Sequence, residues 1–317
     1  MEFPRPKVLF SRCLGFEICR YNGEEKRDAF VEQLLAFVEP IAVCPEVEIG
    51  MPIPRMPIHQ AYIKGKIRLL QKSTGDDLTE RMETFSTERI AALPEIEGAV
   101  LKARSPSCGV SGAKIDNAPK EMKKRGMFAR ELEAQRPWIA LEDESRLFNY
   151  RIREHWLTKL FTLSRFREIR DDGDAKALTR FQEAHKYLLM AYSPALQKKL
   201  GQIAANHEKR LPSEQFSLYE LELHAALTKM PSKGRLINAF EHMGGYFKKT
   251  ASEAERSFFA ETLEMYREGR IPMSSVVVLI HGWALRDRNV YLLGQTLLHP
   301  FPVELMELKD SGRVLEL

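Results

Sequence analysis

The segment Lys7-Val-Leu-Phe10, with Ser11-Arg-Cys13 directly behind it, sets the architecture of the first half of the chain. Its apolar run has the length of a buried strand. A patterned helical stretch from Asp28 to Val38 follows, and then a second apolar run, Ile41-Ala-Val-Cys44. Because strands that alternate with helices build parallel sheets with crossover connections, this order predicts an α/β domain.

The same alternation continues to about residue 150. Asp76 to Leu93 is typical of a helix, and Glu97-Gly-Ala-Val-Leu-Lys102 is typical of a third strand. Ala118 to Gln135 indicates a helix or a loop followed by a helix, and Pro137-Trp-Ile-Ala-Leu141 indicates a last buried strand. We therefore expect an α/β domain with a parallel sheet over residues 1–160.

Beyond Tyr150 the strand pattern disappears and helical patterns replace it, separated by proline and glycine. The polar, glycine-containing stretch Arg170-Asp-Asp-Gly-Asp174 is the predicted linker. An all-α domain is expected over residues 175–317. The predicted helices run from Phe161 to Ile169, Leu178 to Tyr192, Pro194 to Lys209, Ser217 to Thr228, Lys233 to Phe247 and Ser252 to Glu268.

Composition is that of a globular protein, with 317 residues of which 44% are hydrophobic and 29% charged. This length fits two domains. The sequence contains no run of about 18 apolar residues that would span a bilayer, and its N-terminus does not resemble a secretory signal, so a cytoplasmic location is expected. The net charge of +4 falls in residues 151–317, which allows a phosphate-binding face there.

All four cysteines, Cys13, Cys19, Cys44 and Cys108, lie within the first 108 residues. The reducing cytosol expected for this protein argues against disulfides between them. Cys13 follows the first predicted strand, Cys44 ends the second, and Cys108 lies in a loop after the third. Since the carboxyl ends of parallel strands share one edge of a sheet, these thiolates are expected to meet there. They would suit zinc or an iron–sulfur cluster, although the spacing fits no zinc finger. Packing as a small hydrophobe is the alternative for any single cysteine.

Polar neighbours surround these cysteines. In Cys44-Pro45-Glu46 a carboxylate stands two residues from the thiolate, as a candidate general base or as an exposed residue after a strand. In Ser105-Pro106-Ser107-Cys108-Gly109 two hydroxyls flank the cysteine, either to bind an anion or a cluster or to form an ordinary turn. Arg20-Tyr21 either hold a ligand or flank the turn at Asn22-Gly23.

Taken together, these motifs resemble the thiouracil desulfidase family. They are S-x-C-L-G followed by R-Y-N-G, then C-P-E and then S-P-S-C-G, and the resemblance runs from about Pro6 to Arg153. It implies a [4Fe-4S] cluster with three cysteine ligands and one open iron, and a catalytic pair of a carboxylate and a hydroxyl. Cys19 is expected to be a packed or nearby thiol. The residues that match the ligands are Cys13, Cys44 and Cys108, and those that match the catalytic pair are Glu46 and Ser105.

The second half resembles the helical domain of tRNA 4-thiouridine desulfidases, with F-Q-E-A-H-K-Y-L-L-M at residues 181–190 and H-M-G-G-Y-F-K-K at residues 242–249. The resemblance implies tRNA containing 4-thiouridine as the partner and a thiolated pyrimidine base as the reacting group. Candidate RNA-binding residues are Lys186, Lys198, Lys199, Lys248 and Lys249, with Tyr246 and Phe247 as a stacking surface. A solvated helix face with core aromatics is the alternative.

The resulting hypothesis is a non-redox, iron–sulfur-dependent desulfidase that converts 4-thiouridine in tRNA to uridine and releases hydrogen sulfide. The open iron would polarise the C=S bond, Glu46 would activate water, and Ser105 would position the substrate or relay a proton. Three alternatives stay open: a desulfidase of free thiouracil or thionucleosides, a non-catalytic iron–sulfur RNA-binding sensor with Cys19 as fourth ligand, and a structural zinc site. The sequence leaves the oligomeric state open.

Overall fold

The structure is a computed structural model and describes residues 2–24 and 27–306. The described residues form two compact units. The first comprises those up to Ser164 together with residues 301–306, and the second is Arg165–Pro300. The predicted helical domain, 175–317, ends in residues 307–317, which lie outside the described residues. The division of function between domains 1–160 and 175–317 stays a prediction.

The first unit alternates strands and helices up to one long helix that contains the boundary between the units. Its elements are, in chain order, β1 (Lys7–Ser11), α1 (Ala29–Leu34), β2 (Glu39–Val43), α2 (Pro45–Glu48), β3 (Ile58–Ile63), β4 (Lys66–Gln71), α3 (Thr79–Ala91), β5 (Gly98–Leu101), β6 (Ile115–Asp116), α4 (Met127–Gln135), β7 (Ala140–Asp143) and α5 (Tyr150–Asp172).

A four-stranded sheet with the order β2-β1-β5-β7 forms the centre of this unit, and all its strands are parallel. The predicted α/β fold with a parallel sheet is therefore confirmed. The chain leaves β1 towards β2 and leaves β5 towards β7, in opposite directions along the sheet. Such a reversal opens a crevice at the carboxyl ends of the two strands, which is where open α/β sheets bind ligands.

Both faces of the sheet are covered. Val8 and Phe10 of β1 face a core that includes Trp156 of α5, whereas Leu9 faces a core that includes Phe128 of α4. The indole of Trp156 donates a hydrogen bond of 2.7 Å to the carbonyl of Ala140. This two-sided burial explains why β1 is an unbroken apolar run instead of an alternating one.

A smaller three-stranded sheet, with the order β4-β3-β6, was not predicted. Its hairpin turns at Lys64 and Gly65, which have φ values of 48° and 82°. Both central residues of a type I′ hairpin turn need positive φ, and Asn-Gly is its usual signal. The sequence Lys-Gly does not carry that signal, so the pattern did not indicate a hairpin here.

Within the described residues the second unit is helical throughout, as predicted. Its helices are α6 (Ala175–Ala184), α7 (Lys186–Tyr192), α8 (Pro194–Ala205), α9 (Pro212–Ala226), α10 (Lys233–Gly244), a 3-10 turn (Gly245–Phe247), α11 (Glu253–Arg267), α12 (Met273–Arg286) and α13 (Val290–Leu293). Serine N-caps begin α8, α10 and α11, where each side chain accepts a hydrogen bond from a backbone N–H.

Two predictions in this half were wrong, and two helices were missed. The stretch Arg170–Asp174 is mostly helix instead of linker, because α5 continues to Asp172. The single helix predicted from Leu178 to Tyr192 is divided at His185, and the last two helices were not predicted. None of the described helices combines the length and the apolar composition needed to cross a membrane.

Candidate active site

A cavity of ≈ 240 Å³ opens in the first unit, next to the carboxyl ends of β1, β2 and β5. All four cysteines of the chain line it, although they come from three separate parts of the sequence. Cys19, Cys44 and Cys108 are buried and Cys13 is half-buried. The structure thus brings Cys13, Cys44 and Cys108 together, and Glu46 and Ser105 line the same cavity.

The thiols contact one another. Cys19 is hydrogen-bonded to the thiols of Cys13 and Cys44, and the bond with Cys13 raises the pKa of Cys19 to about 11. Contact with Cys19, and then burial, raise the pKa of Cys44. Burial raises the pKa of Cys108, whose thiol is hydrogen-bonded to Ser11. These thiols therefore need a positively charged partner in the cavity before they ionise together.

The backbone near β1 and β2 fixes two of the thiols. Directly after β1, the Arg12 N–H donates to the Val43 carbonyl at 2.8 Å, which ties the turn that carries Cys13 to the end of β2. Cys44 is the N-cap residue of α2, and its own N–H donates to the Glu48 carboxylate at 3.0 Å. Cys13 and Cys44 are thus each part of a backbone segment that hydrogen bonds hold directly after a strand.

The loop from Ser105 to Gly109 contains Cys108. The Ser105 hydroxyl accepts hydrogen bonds from the N–H groups of Ser107 and Cys108, at 3.1 and 3.0 Å. Gly126 packs against this loop so closely that a Cβ there would lie 2.4 Å from the Ser107 carbonyl oxygen. The loop is therefore held from within and from the start of α4.

Glu46 is held by two side chains that the sequence alone did not connect with it. Arg55 donates from Nε and Nη2 to one oxygen of the Glu46 carboxylate, at 2.9 and 2.7 Å. Its Nη1 donates to the Cys19 carbonyl at 3.0 Å. The hydroxyl of Ser107 donates to the other carboxylate oxygen at 3.1 Å. A carboxylate offers about four lone-pair sites, so one stays free for a substrate or water.

The serine that contacts Glu46 is therefore Ser107, which is fully buried, whereas Ser105 lies in the cavity wall. Both acceptor positions of the Ser105 hydroxyl are used by backbone N–H groups. Since a hydroxyl has one proton and two lone pairs, Ser105 has its proton left to donate. The S-P-S-C-G motif contains both serines, but only the folded loop distinguishes them.

The donor set fits an iron–sulfur cluster. Thiolates are the ligands that such clusters take, and here all the cysteines line one cavity. Among the described residues, no group of three or more His, Cys, Asp and Glu side chains is arranged to hold a single metal ion. The cysteines of a four-iron cluster bind different irons, so they need not converge on one point.

Positive charge dominates the wall of the cavity. Glu46 is the one acidic lining residue, against five basic ones: Arg12, Arg20, Arg55, Lys102 and Arg104. A cavity of this sign with low-dielectric walls attracts anions. It would also stabilise the negative charge of a thiolate-ligated cluster.

In the second unit one of the predicted RNA-binding lysines, Lys186, lies beside a group of three tyrosines, Tyr187, Tyr246 and Tyr291. The Lys186 ammonium is 5.5 Å from the centre of the Tyr187 ring, and the Tyr187 hydroxyl donates to that of Tyr246 at 3.1 Å. Tyr246 is 45% exposed and stacks on Tyr291, with 5.6 Å between the centres of the two rings. Lys248 and Lys249, close to Tyr246 in the chain, are exposed.

Three other residues that were predicted to contact RNA have different surroundings. Phe247 is buried and packs edge-on against Trp283, so its assignment to a stacking surface was wrong. Lys248 lines a second cavity of ≈ 430 Å³ together with Arg256 and Arg267. Lys199 is paired with Glu222 at 2.7 Å.

The fold and the cavity define an α/β domain with a thiolate-rich ligand site. Residues 8–144 match the family model described as 2-thiouracil desulfurase, and residues 186–302 match one described as a protein of unknown function, DUF1722. The uncharacterized protein YbbK of Bacillus subtilis is 31% identical over 110 residues, which are 32% of this chain and 72% of that protein.

A solved structure of the [4Fe-4S]-dependent thiouracil desulfidase TudS is 30% identical, over 45% of this chain and 93% of that one, with a TM-score of 0.36. The chain belongs to the 2-thiouracil desulfurase family through its first unit. The predicted fusion of a desulfidase-type enzyme domain with a separate helical region is confirmed.

Proposed function

We propose that this chain is a [4Fe-4S]-dependent desulfidase that converts 4-thiouridine in tRNA to uridine in the cytoplasm, with release of hydrogen sulfide and no change of redox state. One observation carries the proposal: Cys13, Cys44 and Cys108 line one cavity together with Glu46 and Ser105. The family match and the sequence identity with TudS, a [4Fe-4S]-dependent thiouracil desulfidase, support the sulfur chemistry and the cluster.

Cys13, Cys44 and Cys108 would hold the cluster, and the cluster, with one iron free of protein ligands, would supply a thiophilic Lewis acid that polarises the C=S bond. The net reaction adds water to the thiocarbonyl carbon, breaks the C–S bond and releases the sulfur as hydrosulfide. The residues of the chain then have to bind the base, move the proton of the water and keep other nucleophiles out.

Glu46 is the proposed general base. Arg55 and Ser107 fix its carboxylate by three hydrogen bonds, which leaves one lone-pair site for the attacking water. Ser105 is the proposed proton donor, because its two acceptor positions are used by the loop. It would donate to the sulfur or to the oxygen that develops negative charge.

Replacement of Glu46 tests this assignment. In Glu46→Ala the visible absorption of the reconstituted cluster should persist while sulfide release from 4-thiouridine-containing tRNA is abolished. Wild-type turnover by this variant would remove Glu46 from the mechanism. The buried neighbour Ser107 serves as a comparison, because Ser107→Ala removes one hydrogen bond to Glu46 and should reduce turnover without abolishing it.

Cys19 separates the enzyme from the sensor alternative. As a desulfidase, the protein needs an iron free of protein ligands, so Cys19→Ala should retain the cluster absorption and sulfide release. In a sensor with four cysteine ligands, the same variant would change the spectrum of the cluster and the wild type would release no sulfide. The burial of Cys19 beside Cys13 and Cys44 makes this comparison necessary.

The second unit would bind the tRNA through Lys186, Lys248 and Lys249. Support comes from the exposed Tyr246, which stacks on Tyr291 and contacts Tyr187, since exposed aromatic rings beside lysines suit both bases and phosphates. A binding unit on the same chain also raises the concentration of the thiolated base near the first unit.

Salt dependence tests this role. Binding of tRNA should weaken steeply as salt rises, and a flat response would refute the role. Replacement of Lys186, Lys248 and Lys249 by Ala should lower the slope of log K against log salt by about 2 to 3, at about 0.7 to 0.9 for each phosphate that the variant no longer neutralises. The matched control replaces three exposed lysines of the first unit by Ala, Lys64, Lys66 and Lys72, and should leave the slope unchanged.

The competing substrate class is free thiouracil or a thionucleoside. Anaerobic reconstitution followed by a sulfide assay with thiolated tRNA and with free 4-thiouracil decides between them. Turnover of the free base at a rate that thiolated tRNA does not reach would replace the proposed substrate with the smaller one.

A further inference from the structure

The second cavity, of ≈ 430 Å³, lies between α10 and α11 of the second unit and has the volume of a small-molecule site. The two helices run in opposite directions along it. Gly244, at the end of α10, lies against Phe259 of α11, whereas Lys233, at the start of α10, donates to the Arg267 carbonyl at the end of α11. The position of each lining residue in its helix therefore gives its place along the cavity.

One end of the cavity carries two positive charges. Arg256 donates to the carbonyls of Lys248 and Ala251, at 3.3 and 2.8 Å, and this holds its guanidinium beside the turn after α10. The Lys248 side chain lies over Gly245. Its ammonium has no ion-pair or hydrogen-bond partner among the residues that the structure describes. An anion can therefore bind at this end without breaking an existing ion pair.

The middle of the cavity is flat and apolar. A Cβ on Gly244 would lie 2.5 Å from the Phe259 ring, so the glycine lets this ring lie directly against α10. Phe259 is half-buried and packs on its other side against Trp283, with 5.5 Å between the ring centres. The rest of its ring lines the cavity together with Ala260. Aromatic rings in such positions stack nucleobases whatever their sequence.

Beyond the apolar part lies an unpaired carboxylate. Glu241 precedes Gly244 by about one helical turn and has no ion-pair or hydrogen-bond partner within the described part of the chain. Glu264, the other acidic lining residue, is paired with Arg267. Because an ionised carboxylate only accepts hydrogen bonds, Glu241 favours a ligand whose facing edge consists of N–H donors.

We propose that the second cavity binds a guanine nucleotide, with the phosphate at Lys248 and Arg256, the base against Phe259 and the N–H donors of the base at Glu241. Guanine has two neighbouring donors on its Watson–Crick edge, which match the two oxygens of a carboxylate. Adenine and cytosine have one amino group there, and uracil has one N–H between two carbonyl oxygens that a carboxylate repels. Glu241 and Lys248 are about two helical turns apart, roughly 10 Å, which one nucleotide can span.

The guanine nucleotide has two possible sources, a free nucleotide and an unpaired guanosine in RNA. Both present the same phosphate oxygens and the same base edge to the cavity. The second source rests on the proposed function, because it requires that the second unit binds RNA. The cavity would then read a base other than the thiolated one.

The test measures equilibrium binding to the full-length, reconstituted protein. The ligands are guanosine 5′-monophosphate, guanosine, uridine 5′-monophosphate, an oligouridine RNA and the same RNA with one central guanosine. Glu241→Gln keeps the size of the side chain but replaces an acceptor oxygen with a donor, and Lys248→Met removes the charge. Glu261→Gln is the matched control, because Glu261 is exposed on α11 and does not line the cavity.

We expect Glu241→Gln to weaken the binding of guanosine 5′-monophosphate by about tenfold or more, while the Kd for uridine 5′-monophosphate stays the same. Lys248→Met should weaken the monophosphate more than guanosine, and Glu261→Gln should match the wild type. A loss in Glu241→Gln that is confined to the guanosine-containing RNA identifies RNA as the source, and one confined to the monophosphate identifies the free nucleotide. Unchanged binding of both, or equal losses for the guanine and uracil ligands, would overturn the inference.

These outcomes are distinguishable from failure of the proposed function, since sulfide release is not part of the measurement. A protein that releases sulfide from thiolated tRNA but binds guanine ligands equally well with and without Glu241 refutes this inference alone. A protein that releases no sulfide from any thiolated substrate, and loses guanosine 5′-monophosphate in Glu241→Gln, refutes the proposed reaction and keeps the nucleotide site.

Discussion

Replacement of Arg55 by Met should destabilise the first unit more than any loss of a surface ion pair. The Arg55 side chain is 3% exposed and its partner Glu46 is 14% exposed, so the pair is almost fully removed from water. Loss of one partner from a buried pair costs about 3 to 5 kcal/mol, because the other charge stays buried without compensation. Since Glu46 keeps the hydrogen bond from Ser107 and some contact with solvent, we expect about 3 kcal/mol, the lower end of this range.

The assay is urea unfolding of the cluster-free protein under reducing, anaerobic conditions, so that metal loss does not contribute to the signal. Arg68→Met is the matched control, because the Arg68–Asp77 pair has 43% exposure on both sides and should contribute about 1 kcal/mol or less. In the double variant Arg55→Met with Glu46→Gln, part of the lost stability should return. If Arg55→Met loses no more than Arg68→Met, the buried pair does not hold this part of the site.

Three further outcomes follow from the packing, the hydrogen bonds and the buried groups. Gly126→Ala should destabilise the fold by about 1 to 3 kcal/mol and lower the iron content after reconstitution, because the added Cβ would displace the Ser107 backbone. Gly234→Ala is the control and should change neither quantity, because the space around its Cβ is open. Equal unfolding midpoints of the two variants would contradict this prediction. Ser105→Ala should lower the free energy of unfolding by about 1 kcal/mol, because the N–H groups of Ser107 and Cys108 lose the hydroxyl that accepts their hydrogen bonds. Ser105→Thr keeps a hydroxyl, and if it is as unstable as Ser105→Ala, these hydrogen bonds do not stabilise the loop. Burial lowers the pKa of His185 to about 3, so below about pH 6.5 the unfolded chain binds a proton that the folded chain does not. This proton should lower the free energy of unfolding by about 2 kcal/mol between pH 7 and pH 5, as measured by urea unfolding at the two pH values. His185→Gln should reduce this difference, and a variant that shows the same difference as the wild type would refute the role of His185.

The sheet and the convergence of the cysteines were predictable because they depend on short-range pattern. Apolar runs define the strands, and each of Cys13, Cys44 and Cys108 follows one in the sequence. Once the strands are parallel, their carboxyl ends meet at one edge without any further information. The sequence therefore contained the position of the ligand site at the level of the sheet edge.

Contacts made by long side chains across the fold were not predictable in this way. Arg55 contacts Glu46 from a separate loop, and Ser107 contacts it from the loop that follows β5 in the sequence. Neither contact therefore has a local sequence signal. The positive φ of Arg104, which lines the cavity, is likewise a property of the folded loop. The same limit explains the missed division at His185, where an apolar helical pattern runs on through the break.

The crossover topology also constrains the order of biosynthetic events. The thiols follow strands on both sides of β1 as well as β1 itself, and the last of them, Cys108, lies in a loop against which Gly126, at the start of α4, packs. A nascent polypeptide that has emerged from the ribosome only as far as α2 contains Cys13, Cys19 and Cys44 but not β5, the strand that precedes Cys108. A ligand that Cys13, Cys44 and Cys108 hold together can therefore bind only after most of the first unit has been synthesised.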